Sequence, residues 1–291
     1  MTPNHAVRIQ PGADRRMNDD TARKSFLRTD EPAPYTVLNA NSTVPLLLVC
    51  DHASNRMPRA VGNLGLDAAT RACHLAVDIG AADVTRRLAA SFRATTLLAN
   101  YSRLVVDLNR HLSSPGAFLE YGDGVAIPGN RNLSAAARQA RADTLYWPYH
   151  MAVADHVRRL SALEPQPLIV SMHSFTPAMD GVTRPWEVGV LWHEDRATAE
   201  ALMAGFRAAG FVVGDNQPYS ARMPLIFTLA RHAEPAGLPH AIIELRQDLI
   251  NHPAGVARLA GVLEHLLIDL LPAPLPHAAG EPSPQACRDR G

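Results

Sequence analysis

The chain is short of cysteine, carries no excess charge of either sign and has no long hydrophobic run, and each shortage removes a class of function. Its three cysteines, Cys50, Cys73 and Cys287, share no metal-type spacing. No disulfide framework is expected, and a reducing cytoplasm is the expected compartment. Lys plus Arg and Asp plus Glu each number 28, for a formal net charge of zero. That balance supplies no basic field for nucleic acid or an anionic membrane surface, and neither is expected as a partner. No apolar run approaches the roughly 20 residues of a membrane span, and the first residues lack the apolar core of a secretory signal. The glycines form no G-x-G-x-x-G or P-loop pattern, so nucleotide binding has no support. Internal repeats and long linkers are missing too.

What is present is an ordinary soluble composition over 291 residues, 47% hydrophobic and 19% charged, long enough for a substantial core. Thirteen histidines are more than such a chain needs and favour metal or acid–base chemistry. Residues 1–33 are polar and aperiodic and read as a mobile arm. Pro272-Ala273-Pro274 stops the last helix, so 272–291 read as a disordered tail, leaving one domain over 34–271. Within it, strand and helix signals alternate. Strands are predicted at Leu46–Cys50, Thr95–Ala99, Leu104–Val106, Leu168–Met172, Val188–Trp192, Phe211–Val213 and Ala241–Leu245. Helices are predicted at Ala81–Phe92, from Ser134 through Leu160 with a kink or break at Pro148, at Arg196–Ala209 and at Val256–Leu271. This alternation predicts an α/β domain with a central mixed, mostly parallel sheet and helices on both faces.

Three of the strands end on polar residues. Leu46-Leu47-Leu48-Val49-Cys50 runs into Asp51-His52-Ala53-Ser54-Asn55. Leu168-Ile169-Val170-Ser171-Met172 runs into His173-Ser174, and Ala241-Ile242-Ile243 into Glu244-Leu245-Arg246. In α/β sheets the carboxyl edge is where ligands bind. A single histidine at a strand end is simply hydrogen-bonded there, but His52 and His173 together suit a zinc site, which in catalytic proteins takes three protein ligands and water. Asp78, in the apolar stretch Leu75-Ala76-Val77-Asp78-Ile79, is a candidate third ligand or else the N-cap of the helix that follows; Asp51 and Asn55 are the substitutes. Glu244 is costly to bury among apolar neighbours without a partner. Either it pairs with Arg246 or it serves as general base. Arg103 and Arg110, with Asn109, bracket the apolar run Leu104-Val105-Val106. Guanidinium forks there suit an acidic substrate, unless Asp107 takes one of them in a structural salt bridge.

Taken in order, Cys50 to Asn55, His74 to Gly80, Tyr101 to Arg110, Ser171 to Ser174 and Ile243 to Arg246 resemble the N-formylglutamate amidohydrolase family over most of residues 46–270. Asp107-Leu108-Asn109-Arg110 also resembles the substrate-carboxylate motif of the wider zinc carboxypeptidase and aspartoacylase superfamily. The resemblance implies a zinc-carboxypeptidase-like fold, with His52 and His173 on the metal and Glu244 as general base. It further implies that Asn109 and Arg110 hold the α-carboxylate and that Arg103 holds a second anionic group or polarises the carbonyl. That superfamily uses His-x-x-Glu for two ligands, whereas this chain has Asn55 at the fourth position, which is why Asp78 enters as third ligand beside His52 and His173. The expected activity is zinc-dependent hydrolysis of a small N-formyl or other N-acyl acidic amino acid. The rival readings are a metallopeptidase or other metalloamidase, and a non-catalytic binder of an acidic metabolite.

Overall fold

The structure, a computed structural model, describes residues 26–221 and 227–271. Seven strands form one sheet: β1 (Tyr35–Leu38), β2 (Leu46–Cys50), β3 (Thr95–Ala99), β4 (Leu168–Phe175), β5 (Val188–Leu191), β6 (Val213–Asp215) and β7 (His240–Arg246). Their spatial order is β1-β3-β2-β4-β7-β5-β6. The four central strands β3, β2, β4 and β7 are mutually parallel. At the edges β1 runs antiparallel to β3, and β5 runs antiparallel to β7 while pairing parallel with β6. This is the mixed, mostly parallel α/β sheet predicted from the sequence.

Both faces of the sheet are covered, which is why its strands read as unbroken apolar runs rather than alternating ones. Every residue of β2 is fully buried. Leu46, Leu48 and Cys50 join a core shared with helices α1 (Ala81–Phe92), α3 (Arg196–Ala208) and α4 (Pro253–Leu270). Leu47 and Val49 point the other way, into a core shared with α2 (Trp147–Ser161). In α1 the predicted stripe Val84, Leu88 and Phe92 is buried. The segment before α2 is helical from Ala135 onward and is not divided at Pro148. Residues 142–146 form a π turn in which Trp147 N–H reaches back to Ala142 O, and this wider turn leads into the proline. Among the described residues no helix is long and apolar enough to cross a membrane.

Two expectations need revision. Leu104–Val106 is buried but is not a strand; it lies in a turn-rich loop. Its backbone carbonyls are satisfied by side chains instead of a neighbouring strand: Asn130 Nδ2 donates to Leu104 O (2.8 Å) and Arg141 to Val105 O (3.0 Å). The strand predicted at Phe211–Val213 forms two residues later, at Val213–Asp215. Residues 1–25 and the tail 272–291 lie outside the described residues, but Phe26 and Leu27 pack against the α2 side of the core, and Tyr101 Oη donates to Pro32 O at 2.8 Å.

One glycine ties the fold to the site. Gly80 caps α1 with φ +79°, and a Cβ there would lie 2.3 Å from Ile250 O. Both the left-handed conformation and the backbone contact demand glycine. Gly80→Ala should therefore cost more than about 1 kcal/mol in a denaturant titration. Wild-type stability in this variant would show that the turn after Asp78 is not held as described.

Candidate active site and metal centre

The carboxyl ends of β2, β4 and β7 lie side by side, so residues far apart in sequence meet at one edge of the sheet. In the β4–β7 ladder His173 is directly opposite Glu244. His52 follows β2 by two residues, and its carbonyl accepts the Asp78 N–H at 3.1 Å. Asp78 is thereby fixed beside His52. Its carboxylate does not cap α1, whose N-cap is Gly80 with no side-chain bond. Instead Asp78 Oδ2 lies 3.3 Å from His52 Nδ1 and 2.8 Å from His173 Nδ1, and it also accepts Ser174 N–H at 3.3 Å.

His52, Asp78 and His173 are all buried, with ligand atoms within 4.8 Å of one another, a grouping able to hold a metal ion. A tetrahedral zinc with bonds of 2.0–2.1 Å keeps its ligands roughly 3.3 Å apart, close to the two Asp78 separations. The outward nitrogens are also held. His52 Nε2 meets Asp107 Oδ1 at 2.8 Å, and His173 Nε2 meets Ser171 Oγ at 3.1 Å and Asp51 Oδ2 at 3.5 Å. Carboxylates on the far nitrogens orient imidazoles whose near nitrogens bind metal. Tyr149 in turn donates to Asp51 Oδ1 at 2.6 Å. The site is acidic: Asp78 Oδ1, Asp51 Oδ2 and Glu244 Oε2 are buried without hydrogen-bond partners. Asp51 Oδ2 and Asp78 Oδ1 have only long ion-pair contacts, the nearest at 3.5 Å to His173 and to Arg103, and Glu244 Oε2 has none. A divalent cation beside Asp78 and Glu244 would offset the cost of burying them. The donor set therefore fits a metal.

Electrostatics follow the same geometry. Burial opposes the charge on Asp78, but His52 and His173 hold its carboxyl well below the usual range. Burial likewise disfavours a charged His173, yet its bonds to Asp51 and Asp78 raise it to about 10. Glu244 has no comparable support, and burial pushes it up to about 7. The pairing of Glu244 with Arg246 offered as an alternative is not formed; Arg246 bonds Asp248 instead, at 2.8 Å.

The remaining sequence candidates share the same cavity of about 260 Å³, which is lined by His52, Asp78, His173 and Glu244 together with Arg103, Asn109 and Arg110. Arg103 is not presented as an open fork. Its Nε and one terminal nitrogen bond Asp107 Oδ2 at 3.1 and 2.7 Å, and its other terminal nitrogen lies 3.5 Å from Asp78 Oδ1. The structural salt bridge with Asp107 is thus the arrangement adopted. Asn109 Oδ1 accepts the N–H groups of Phe227 and Thr228, pinning the short helix Thr228–His232 to the site, while its Nδ2 lies 3.5 Å from His173 Nε2. Arg110 donates to Asn109 O at 3.0 Å and Tyr146 Oη donates to Arg110 O, which fixes that backbone. Asn55 is exposed and donates to Arg71 O, away from the trio. Sequence reasoning missed Asp107 as the partner of His52 and Tyr149 as the partner of Asp51.

Asp107→Asn should weaken divalent metal binding about 10- to 100-fold, the usual effect of removing a carboxylate that orients a ligating histidine. Competition against a chromogenic chelator measures this on protein shown to be folded by circular dichroism. Unchanged affinity would separate Asp107 from the metal centre.

Comparison with known proteins gives the family. The family model for N-formylglutamate amidohydrolase matches residues 44–251. The chain resembles the crystal structure of gene product Atu2144 from Agrobacterium tumefaciens, with 38% identity and a TM-score of 0.81 over 84% of this chain and 97% of that one. The N-formylglutamate amidohydrolase from Ralstonia eutropha JMP134 shares the fold at 20% identity, with a TM-score of 0.63 over 82% of this chain and 97% of that one. No curated protein sequence matches the chain. The family match spans well over half of the sequence and takes in every candidate site residue, so the chain belongs to the N-formylglutamate amidohydrolase family.

Proposed function

We propose that the chain is a zinc-dependent amidohydrolase that removes a formyl or other small acyl group from an amino acid held by its α-carboxylate. N-formylglutamate, the acidic compound implied by the sequence resemblance, is the reference substrate. The observation that carries the reading is Glu244, a buried carboxylate with an unpartnered oxygen, sharing one cavity with His52, Asp78 and His173. An unpartnered carboxylate oxygen beside the trio is available to accept a proton from water.

His52, Asp78 and His173 would hold the metal, which supplies Lewis-acid chemistry that acidifies water and polarises an amide carbonyl. Glu244, with its proton affinity raised to about 7 by burial, takes a proton from the attacking water and passes it to the departing amine nitrogen. Water adds to the acyl carbon, the C–N bond breaks, and the products are formate (or another small acid) and the free amino acid. Arg110 and the Asn109 amide orient the substrate through its carboxylate. Arg103, fixed by Asp107, adds positive potential where the carbonyl oxygen gains charge.

Glu244→Gln should keep fold and metal content but lower turnover by roughly 10²–10⁴-fold in a formate-release assay, since glutamine cannot accept the proton. Near-normal turnover would remove Glu244 from the mechanism. Arg110→Ala should cost about ten- to a hundredfold in kcat/KM for substrates with a free α-carboxylate, and far less for the carboxamide analogue. Arg110→Lys should restore part of the loss, because an ammonium cannot reproduce the planar fork. Equal losses on both substrates would assign Arg110 to the fold.

A further inference from the structure

The strand that carries His173 also delivers a buried positive charge to the edge of the cavity. After Phe175 at the end of β4 the chain enters a short hairpin, in which Ala178–Met179 pairs with Val182–Thr183. Arg184 closes its base, donating its N–H to Pro177 O at 2.8 Å. The Arg184 residue is only 8% exposed, and unlike Arg103 or Arg246 it forms no ion pair with any carboxylate among the described residues. Its side-chain acceptors are neutral. One terminal nitrogen bonds Thr176 Oγ1 at 3.0 Å, and the other bonds Met179 Sδ at 2.8 Å. The guanidinium carbon lies 5.0 Å from the ring centroid of Tyr219. A buried guanidinium without a counter-charge is costly, and a thioether is a weak acceptor.

Met179 and Tyr219 both line the cavity, so Arg184 stands one side chain behind its wall. The position of Tyr219 is built in. Glu244 faces Gly189 across the β7–β5 ladder, and a Cβ at Gly189 would overlap Gln217 O. The missing side chain lets the loop leading to Tyr219 lie against the strand beside Glu244. Asn216 ties that loop to β5, donating its N–H to Val190 O at 3.0 Å and accepting Trp192 N–H at 3.1 Å. Burial, and then the charge of Glu244, raise the Tyr219 phenol, which keeps it a neutral O–H donor. Arg103, the arginine that the sequence offers for a second anionic group, is engaged by Asp107. A second substrate carboxylate therefore needs another cation, in a cavity that Asp78, Asp107, Asp123 and Glu244 also line.

We infer that Arg184, with the Tyr219 hydroxyl beside it, anchors the side-chain carboxylate of a dicarboxylic N-acyl amino acid. Met179 is unbranched and adaptable, so its sulfur can give way, and the carboxylate replaces a weak acceptor with a charge-assisted bond. This deepens the reading proposed above and rests on its placement of the α-carboxylate at Arg110. The test compares N-formyl-L-glutamate with N-formyl-L-glutamine, which has the same shape without the side-chain charge, on the full-length, zinc-reconstituted protein. Wild type should favour the glutamate compound by about tenfold or more in kcat/KM, the scale of one charge-assisted bond. Arg184→Gln should bring the two compounds to within about threefold of each other, chiefly by loss on the glutamate compound. An unchanged ratio in folded Arg184→Gln protein overturns the inference and leaves the amidase reading intact. Calorimetric binding of N-acetyl-L-glutamate and N-acetyl-L-glutamine gives the same comparison without turnover. A preference for the glutamate compound that disappears in Arg184→Gln supports the inference even if nothing is cleaved, an outcome that would retire the amidase reading alone. Equal binding by the wild type, or binding of neither, overturns it. Should Arg184→Gln fail to fold, a crystal structure of the wild type with N-acetyl-L-glutamate decides. The side-chain carboxylate should lie roughly 2.7–2.9 Å from an Arg184 terminal nitrogen; its binding at Arg103 or in solvent overturns the inference.

Discussion

The arrangement depends on one carboxylate. Asp78 Oδ2 lies within 3.3 Å of the Nδ1 atoms of both His52, two residues past β2, and His173 on β4, and it accepts the backbone N–H of Ser174. Asp78 is itself tethered by its own N–H to the carbonyl of His52. The loop from 52 to 78 and the end of β4 are thereby drawn to one point. A second layer of contacts supports that point: Asp107 and Asp51 steady the far sides of the imidazoles, and Arg103 and Tyr149 steady those two aspartates.

So many buried charges are a burden on stability. Removing carboxylates from water costs several kcal/mol each unless they are paired, and here Asp51, Asp78 and Glu244 each keep an oxygen without a hydrogen-bond partner. The fold tolerates it because the cluster sits at the mouth of a sheet whose central strands are fully buried and covered on both faces. A divalent cation would convert an electrostatically strained pocket into a balanced one. Apo protein should therefore be the less stable form, with metal binding adding to folding free energy by mass action.

Much of this was legible in the sequence because parallel, doubly covered strands announce themselves as apolar runs, and their polar ends mark the ligand-binding edge. His52, His173 and Glu244 stand at those ends, and β2, β4 and β7 are neighbours. Asp78 was ambiguous because an aspartate shortly before a helix has the same local signature whether it caps the helix or turns inward; only the backbone bond to His52 resolves it. The run Leu104-Val105-Val106 misled for a physical reason. Burial alone does not make a strand, and here Asn130 and Arg141, from elements without any recognisable motif, satisfy the carbonyls that a neighbouring strand would otherwise have taken. Tyr149 was equally hidden, since it bonds Asp51 across 98 positions of sequence and carries no local signal.

The most direct test of the central claim is anomalous diffraction at the zinc absorption edge from crystals of the zinc-loaded protein. The account predicts a single strong peak at bonding distance, roughly 2.0–2.2 Å, from His52 Nδ1, His173 Nδ1 and an Asp78 carboxylate oxygen. A peak held by other residues, or no peak beside this trio in a zinc-saturated crystal, would contradict it.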